Sequence, residues 1–190
     1  MIGIVLLVVI AVALFWFVGA YNSLIGLRNQ VFNAWKQIDV QLKRRHDLIP
    51  NLVNTVKGAM DFERNTLEAV IAARNKAVNA TGVAQTAKAE GELTQALGRL
   101  FALTEAYPDL KATGNVAQLQ EELTSTENKI GFARQLYNDV ATEYNTRQAT
   151  FPTMLVAGLA KATPVELWQI TDDTERAVPT VDLSTTKPTP

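Results

Sequence analysis

Hydrophobic residues dominate the first 27 positions of the chain, where no side chain is charged. From Ile2 to Val18 all but four residues are Val, Ile, Leu or Phe. Seventeen to nineteen helical residues, at about 1.5 Å each, span roughly 26–29 Å, close to the thickness of a bilayer's hydrocarbon core. Aromatic residues cluster at the far end, as in a membrane-interface belt: Phe15, Trp16, Phe17 and Tyr21. The pattern predicts a transmembrane anchor helix over residues 1–20.

A cleaved signal peptide is the alternative interpretation of this segment. Val18-Gly19-Ala20 satisfies the small-residue rule for cleavage. The start of the chain lacks Lys and Arg, however, and the apolar run is longer than that of a usual signal peptide. An uncleaved anchor is therefore favoured.

The basic residues near this helix predict its orientation. No Lys or Arg precedes the helix, whereas Arg28 and Lys36 follow it. By the positive-inside rule, we expect a single-pass protein of the bacterial cell membrane with its body in the cytoplasm. A periplasmic or other extracytoplasmic body is the alternative.

Residues 21–170 carry helical periodicity, and prolines separate three long proline-free runs. The first helix is expected to continue out of the membrane to about residue 42, with a chain reversal at Gln41–Leu52. Pro50 suits the first turn of a second helix that stops at Thr81-Gly82. A third helix is predicted over Val83–Tyr107. A fourth ends near Phe151-Pro152 and carries a heptad-like, coiled-coil seam: Leu119, Leu123, Thr126, Ile130, Ala133, Tyr137, Val140 and Tyr144.

These helices predict an all-α fold, in which the anchor helix continues into an elongated antiparallel four-helix bundle. No stretch shows sustained alternation of apolar and polar residues, so no strand is expected. Residues 171–190 are rich in Thr and Pro and lack aromatic residues. This composition predicts a disordered C-terminal tail.

The residue composition argues against several classes of function for this protein. The 18 basic and 19 acidic residues nearly cancel, which argues against nucleic-acid binding. The absence of cysteine excludes disulfides, iron–sulfur clusters and thiolate sites. The single histidine, His46, cannot supply the two Glu-x-x-His pairs of a di-iron bundle. No metal, no cofactor and no catalytic residue is expected, and the chain is predicted not to be an enzyme.

The densest charge cluster is a candidate binding site for a partner or for lipid headgroups. It is expected at the bundle end farthest from the membrane and consists of Lys43, Arg44, Arg45, His46 and Asp47. The alternative is a solvated helix end, where cations complement the helix dipole.

Other charged residues lie on or beside the apolar stripes and are candidates for an interhelical polar network: Arg28, Glu63, Arg74, Glu127 and Arg134. Glu127 and Arg134 are seven residues apart and share a helical face, as do Glu63 and Arg74 at eleven. Ion pairs that set helix register are the structural interpretation, and a binding groove is the functional one.

Several motifs in this chain resemble the LemA family. The longest is NAWKQIDVQLKRRHDLIPNL at residues 33–52. Shorter matches include Tyr107-Pro108-Asp109-Leu110-Lys111, Tyr137-Asn138, Tyr144-Asn145 and Phe151-Pro152. Phe62 stands where similar proteins often have His, which weakens any role for a second histidine.

The resemblance implies a bacterial single-pass membrane protein with a long helical bundle and no established enzymatic activity. A related protein contributes to magnetosome membranes, so the analogy is to membrane organisation. We therefore expect a scaffold that self-associates into homo-oligomers through its bundle. The alternative is an adaptor that binds another membrane protein, such as a protease, through a groove or the charged tip. An enzyme would require activity that depends on His46 or on Glu127 and Arg134.

Overall fold

The computed structural model describes residues 1–57, 63–107 and 114–169, and every regular element in these ranges is a helix. The elements are α1 (Ile2–Lys57), α2 (Arg64–Val78), α3 (Val83–Glu105), α4 (Gly114–Ala149) and the short α5 (Met154–Ala157). The all-α prediction is confirmed, and the first helix does continue from the apolar segment into the bundle. The predicted disordered tail lies outside the described residues.

Helix α1 has 56 residues and is therefore about 84 Å long. Its N-terminal part is long and apolar enough to cross a membrane, and the most apolar stretch makes no buried contact with the rest of the chain. From Leu24 onward, buried residues recur every three or four positions as far as Val56. Helix α1 thus has an N-terminal part that is exposed on all sides and a later part that buries one face in the core of the bundle.

The predicted reversal at residues 41–52 is wrong, because α1 passes through Pro50 and ends at Lys57. Proline inside a helix costs about 3 kcal/mol, since its ring removes one hydrogen bond and crowds the preceding turn. The apolar stripe continues past this point, and Ile49, Leu52 and Val56 are fully buried. Burying each such side chain stabilises the fold by roughly 1.5–3 kcal/mol, so packing outweighs the cost of the proline.

Pro50 also leaves one carbonyl without its helical partner. The residue four positions earlier is His46, whose carbonyl oxygen would accept a hydrogen bond from an N–H that proline lacks. In the structure Arg74 of α2 fills this position, with its Nε donating to the His46 oxygen at 3.1 Å. The proline therefore creates an acceptor that ties α2 to α1.

The half of the bundle that lies farthest from the apolar segment contains all four long helices. Helix α2 returns beside α1, and α3 pairs with α2 after a turn at Gly82, whose φ of 79° favours glycine. The core here draws on every one of these helices: Ile49, Leu52, Val53, Val56, Leu67, Val70, Ala77, Ala89, Leu93, Leu97, Leu100, Val116 and Leu123.

The half nearer the apolar segment is built differently. Helix α4 runs antiparallel to α1, while α2 and α3 contribute little. The predicted seam of α4 is largely confirmed, with Ile130, Ala133, Tyr137 and Tyr144 buried against α1. The third wall is a non-helical strap, residues 162–169, whose Trp168 is buried in the same core.

Two asparagines of α4 hold this strap. Asn138 donates to the Trp168 carbonyl at 2.9 Å and accepts from the Trp168 N–H at 2.8 Å. Asn145, seven residues later on the same face, pairs in the same way with Val165, at 2.9 Å for both bonds. Each amide thus satisfies both backbone groups of one strap residue, as a neighbouring β-strand would.

Trp35 completes this part of the core. Its ring meets Tyr137 edge-on at 5.5 Å and Trp168 at 6.0 Å between centroids. The Tyr137 hydroxyl donates to the Glu166 carbonyl at 2.7 Å. Burial, and secondarily the Glu166 carboxylate, raises the pKa of Tyr137, so this phenol remains a hydrogen-bond donor.

The pairing of Pro50 with Arg74 predicts energetic coupling between two positions that are far apart in sequence. Arg74→Met should destabilise the protein by about 1 kcal/mol, because the His46 carbonyl loses its donor. In a Pro50→Ala background, the restored N–H can bond that carbonyl, so the same Arg74 substitution should cost less. Chemical unfolding of the four full-length proteins in detergent would measure the coupling. Strictly additive effects would contradict this account.

Candidate functional site

Six polar side chains from all four long helices converge near the middle of the bundle and form what we call the polar cluster. Arg45 and Glu90 are buried, whereas Thr94 is exposed. Arg45 and His46 come from α1, and the other members are Arg74 of α2, Glu90 and Thr94 of α3, and Glu127 of α4. Arg45 stands between Leu42 of one core and Ile49 of the other. The polar cluster therefore lies at the boundary between the two halves of the core.

Arg45 is the centre of the cluster. It donates from Nη1 to Glu90 Oε2 at 3.2 Å and from Nη2 to Thr94 Oγ1 at 2.8 Å. Its Nη1 also lies 3.0 Å from Glu127 Oε2, an ion-pair distance without hydrogen-bond geometry. Arg45 and Glu90 are each only 3% exposed. Two charges buried to this extent are stable only as partners, because each would otherwise lose several kcal/mol of solvation.

Glu90 uses both of its carboxylate oxygens. While Oε2 accepts from Arg45, Oε1 lies 2.6 Å from His46 Nε2. The imidazole can donate this bond either as the neutral Nε2–H tautomer or in its charged form. One carboxylate thus anchors two consecutive residues of α1, which fixes both the rotation and the axial position of α1 against α3.

The predicted charged tip is wrong as a location. Because α1 continues to Lys57, residues 43–47 lie within the helix and not at its end. Arg45 faces inward and His46 is largely covered, whereas Lys43, Arg44 and Asp47 are exposed. Arg44 lies 3.9 Å from Glu122 Oε2 across the surface. The five residues therefore divide between the core and solvent.

The predicted polar network is assembled only in part. Arg74 and Glu127 join the cluster, although they meet α1 residues and not the partners proposed from spacing. Arg134 lies over the Trp168 ring, 5.2 Å from its centroid. Glu63 precedes α2 and its carbonyl accepts from the Thr66 and Leu67 N–H groups. Arg28 is exposed beside Trp35 and Val165.

Glu90 was missed by the sequence analysis, although a signal was present. Buried residues of α3 recur at spacings of four and three: Thr86, Glu90, Leu93, Leu97, Leu100 and Thr104. Glu90 therefore occupies a core position of this seam. A carboxylate at such a position requires a cationic partner, and Arg45 holds the equivalent position in the seam of α1.

The contacts within the polar cluster pair its charges and fix the positions of its side chains. They do not assemble a catalytic or metal site among the described residues. Among the described residues, the hydroxyl bonded to the cluster is that of Thr94, which accepts from Arg45 and does not contact His46, so these residues form no nucleophile–base pair. Within residues 1–57, 63–107 and 114–169, no group of three His, Asp or Glu side chains could hold a metal ion. The geometry is that of a structural lock between helices.

An apolar N-terminal helix that continues into a bundle, with a buried charge lock at its centre, defines a class of helical proteins with a candidate membrane anchor. The sequence profile of the LemA family matches residues 34–183. The chain belongs to the LemA family, as the motifs indicated. Proteins of this family are not known as enzymes, and no catalytic family or fold is indicated.

The relatives extend this result. Protein LemA of Metamycoplasma hominis is 31% identical over 157 residues, covering 80% of this chain and 71% of its own. Magnetosome protein MamQ 2 of Paramagnetospirillum magneticum is 22% identical over 175 residues, or 78% of this chain. MamQ of Magnetospirillum gryphiswaldense is 22% identical over 158 residues, or 70% of this chain. The matches span 64% and 58% of the two magnetosome proteins. Together with the apolar helix, these relatives suggest membrane localisation.

The buried position of Glu90 predicts a large effect of a nearly isosteric change. Glu90→Gln should destabilise the full-length protein by about 3 kcal/mol or more, because Arg45 then keeps its buried charge without its main partner. Glu92→Gln is the matched control. Glu92 lies on the surface of α3, the helix that also carries Glu90, and pairs with Lys76 of α2. The control should change stability by less than about 1 kcal/mol. Equal effects in chemical unfolding would refute the lock.

Proposed function

We propose that this protein is a non-catalytic scaffold, anchored in the bacterial cell membrane by the start of α1 and self-associating through one side of its bundle. The observation that carries the proposal is an exposed apolar face in the membrane-near half. There α1 and α4 lie side by side without cover from α2 or α3 on that side. A second copy of the chain would cover the face.

The face, called here the α1–α4 face, surrounds a groove between the two helices. The groove is lined by Lys36, Gln37, Val40, Gln41, Lys129, Phe132 and Ala133. Val40 is 63% exposed and Phe132 is 74% exposed. Leu136, one turn beyond Phe132, adds further exposed apolar surface. Aromatic and aliphatic side chains displayed together in this way are typical of protein interfaces.

Gln41 adds a polar feature to the same groove. Its side-chain Oε1 is buried and accepts no hydrogen bond from the described residues. A buried acceptor without a donor costs roughly 1–3 kcal/mol. Because Gln41 lines the groove, rotation of its amide towards a donor on a docked molecule would remove this cost, which supports binding at this place.

The membrane anchor is supported by the surface of α1. Large apolar side chains from Ile2 to Val18 are exposed along every side of the helix, with none of the charged residues that a solvated helix carries. Lipid is the environment in which such a surface is stable. The basic residues that follow the span favour a cytoplasmic bundle, as the positive-inside rule predicts.

Self-association can be tested because the natural chain has no cysteine. A single Phe132→Cys substitution should give a covalent dimer when native membranes are treated with a short bismaleimide, since Phe132 lines the groove on which the proposed two-fold interface is centred, and positions near the axis meet their own copies. Glu68→Cys, exposed on α2, is the control and should remain monomeric. Adding Val40→Asp should reduce the Phe132→Cys dimer severalfold, whereas Ile71→Asp should not.

The adaptor is the second candidate, and the same groove supports it. In that case Phe132→Cys would give no dimer and would cross-link to one distinct membrane protein. Loss of that adduct with Val40→Asp would identify the α1–α4 face as the docking site. A chain that cross-links to nothing at Phe132 or Val40 would refute both versions.

The side of the membrane on which the bundle lies can be tested separately. Cysteines introduced at Ile2 and at Ser125 lie on opposite sides of the proposed span, and Ser125 is exposed on α4. With a membrane-impermeant thiol reagent, Ile2→Cys should be labelled in spheroplasts and Ser125→Cys only after lysis. The reverse pattern would place the bundle outside the cytoplasm. Equal labelling of both in spheroplasts would argue against a membrane-spanning α1.

A further inference from the structure

A second apolar surface lies beyond the end of α4, in residues 151–159. Phe151 and Leu159 are 76% and 69% exposed, and Met154 and Leu155 between them are also exposed. On the opposite side Val156 and Ala160 are buried against the bundle. This segment, which contains α5, therefore shows one side to the protein and displays four large apolar side chains outward.

The position of this segment relates it to α1. Arg147 and Thr153 share a small depression with Trp16, Gly19, Ala20 and Ser23 of α1. Those α1 residues stand where the charge-free run of the chain approaches its end. About 20 helical residues cross the hydrocarbon core, so the segment lies level with the membrane surface if α1 spans the bilayer.

The charged residues around the segment also suit a position at the membrane surface. No charged residue occurs from 148 to 160, and the run is bracketed by Arg147 and Lys161. Cations on either side of an apolar stretch can reach lipid phosphates while the apolar side chains enter the interface. Lys161 has a φ of 47°, a left-handed conformation that reverses the chain immediately after Ala160.

The backbone of the segment is compatible with an environment poor in water. Met154 N–H donates to the Thr150 carbonyl at 2.9 Å, and Val156 N–H donates to the Thr153 carbonyl at 2.9 Å. Ala160 N–H donates to the Val156 carbonyl at 3.0 Å. Internal pairing of this kind is what lipid contact requires, because lipid tails offer no hydrogen-bond partners.

We propose that residues 151–159 lie in the lipid interface and form a second membrane contact beside α1. Phe151, Leu155 and Leu159 enter the boundary between headgroups and acyl chains, and Arg147 and Lys161 meet the phosphates. The inference rests on the proposed anchoring of α1. Its consequence is that two attachment points hold the bundle at one tilt to the membrane.

Spin labels on single cysteines test this arrangement in the full-length protein, reconstituted in vesicles of phosphatidylethanolamine and phosphatidylglycerol. The ratio of collisions with oxygen to collisions with a water-soluble nickel complex reports immersion in lipid. The ratio at Leu155→Cys and Leu159→Cys should exceed that at Ser125→Cys severalfold. Val9→Cys, within the apolar part of α1, is the reference for a site inside the bilayer.

Each pattern of ratios has one meaning. A bilayer value at Val9 with an aqueous value at Leu155 would overturn the inference and leave the anchor in place. An aqueous value at Val9 would overturn both the membrane anchor and the lipid contact of residues 151–159. Spin–spin broadening at Leu155, with little contact with either reagent, would show that a second copy covers the segment and would also overturn the inference.

A second measurement separates lipid contact from local structure. A label at Met154→Cys should lose its oxygen contact when Leu155 and Leu159 are both replaced by Asp, because the charged side chains withdraw the segment from lipid. The matched pair Ile71→Asp and Val78→Asp, on exposed positions of α2, should leave the label unchanged. Unchanged oxygen contact in the Leu155→Asp, Leu159→Asp protein would contradict the proposal.

Discussion

The buried contact between Arg45 and Glu90 is the constraint on which the arrangement of the helices depends. Each charge is removed from water, and neither can move away from the other without leaving an unpaired ion inside the protein. Apolar seams tolerate small shifts along a helix, whereas an ion pair with hydrogen bonds on both partners does not. His46, Thr94 and Glu127 extend the contact, so that rotation and axial position are set together.

The polar cluster also separates two cores that are built from different partners. Beyond it, four helices enclose an aliphatic core; before it, α1 and α4 share an aromatic core with the strap. A two-helix pair alone would leave too much apolar surface exposed to be stable. The strap closes one side of this pair through the amides of Asn138 and Asn145, and the opposite side keeps the α1–α4 face.

This asymmetry connects the fold with the proposed roles. Three exposed apolar features lie in the half of the protein that contains the apolar segment: the start of α1, the α1–α4 face and residues 151–159. Under the proposed function, the part beyond the polar cluster would serve as a support for them. The lock then keeps the geometry of those surfaces constant.

Much of this architecture could be predicted from the sequence, because periodicity and hydrophobicity are local properties. The charge-free run before Arg28 and most of the seam of α4 appear in the structure as predicted, and α2 ends at Val78, three residues before the predicted stop at Thr81-Gly82. The motifs of residues 33–52 also identified the family. Such features depend on which residues are three, four or seven positions apart, and the printed sequence contains that information.

Other features were decided only by the tertiary structure, because they depend on residues distant in sequence. Local rules place a helix start at Pro50, but burial of Ile49, Leu52 and Val56 and the Arg74 hydrogen bond keep α1 continuous. Glu90 is 45 residues from Arg45, so no spacing rule could pair them. The strap has no periodicity and takes its place from two asparagine side chains. The sequence by itself determined where helices form, whereas long-range packing and charge pairing decided where they end and how they are held together.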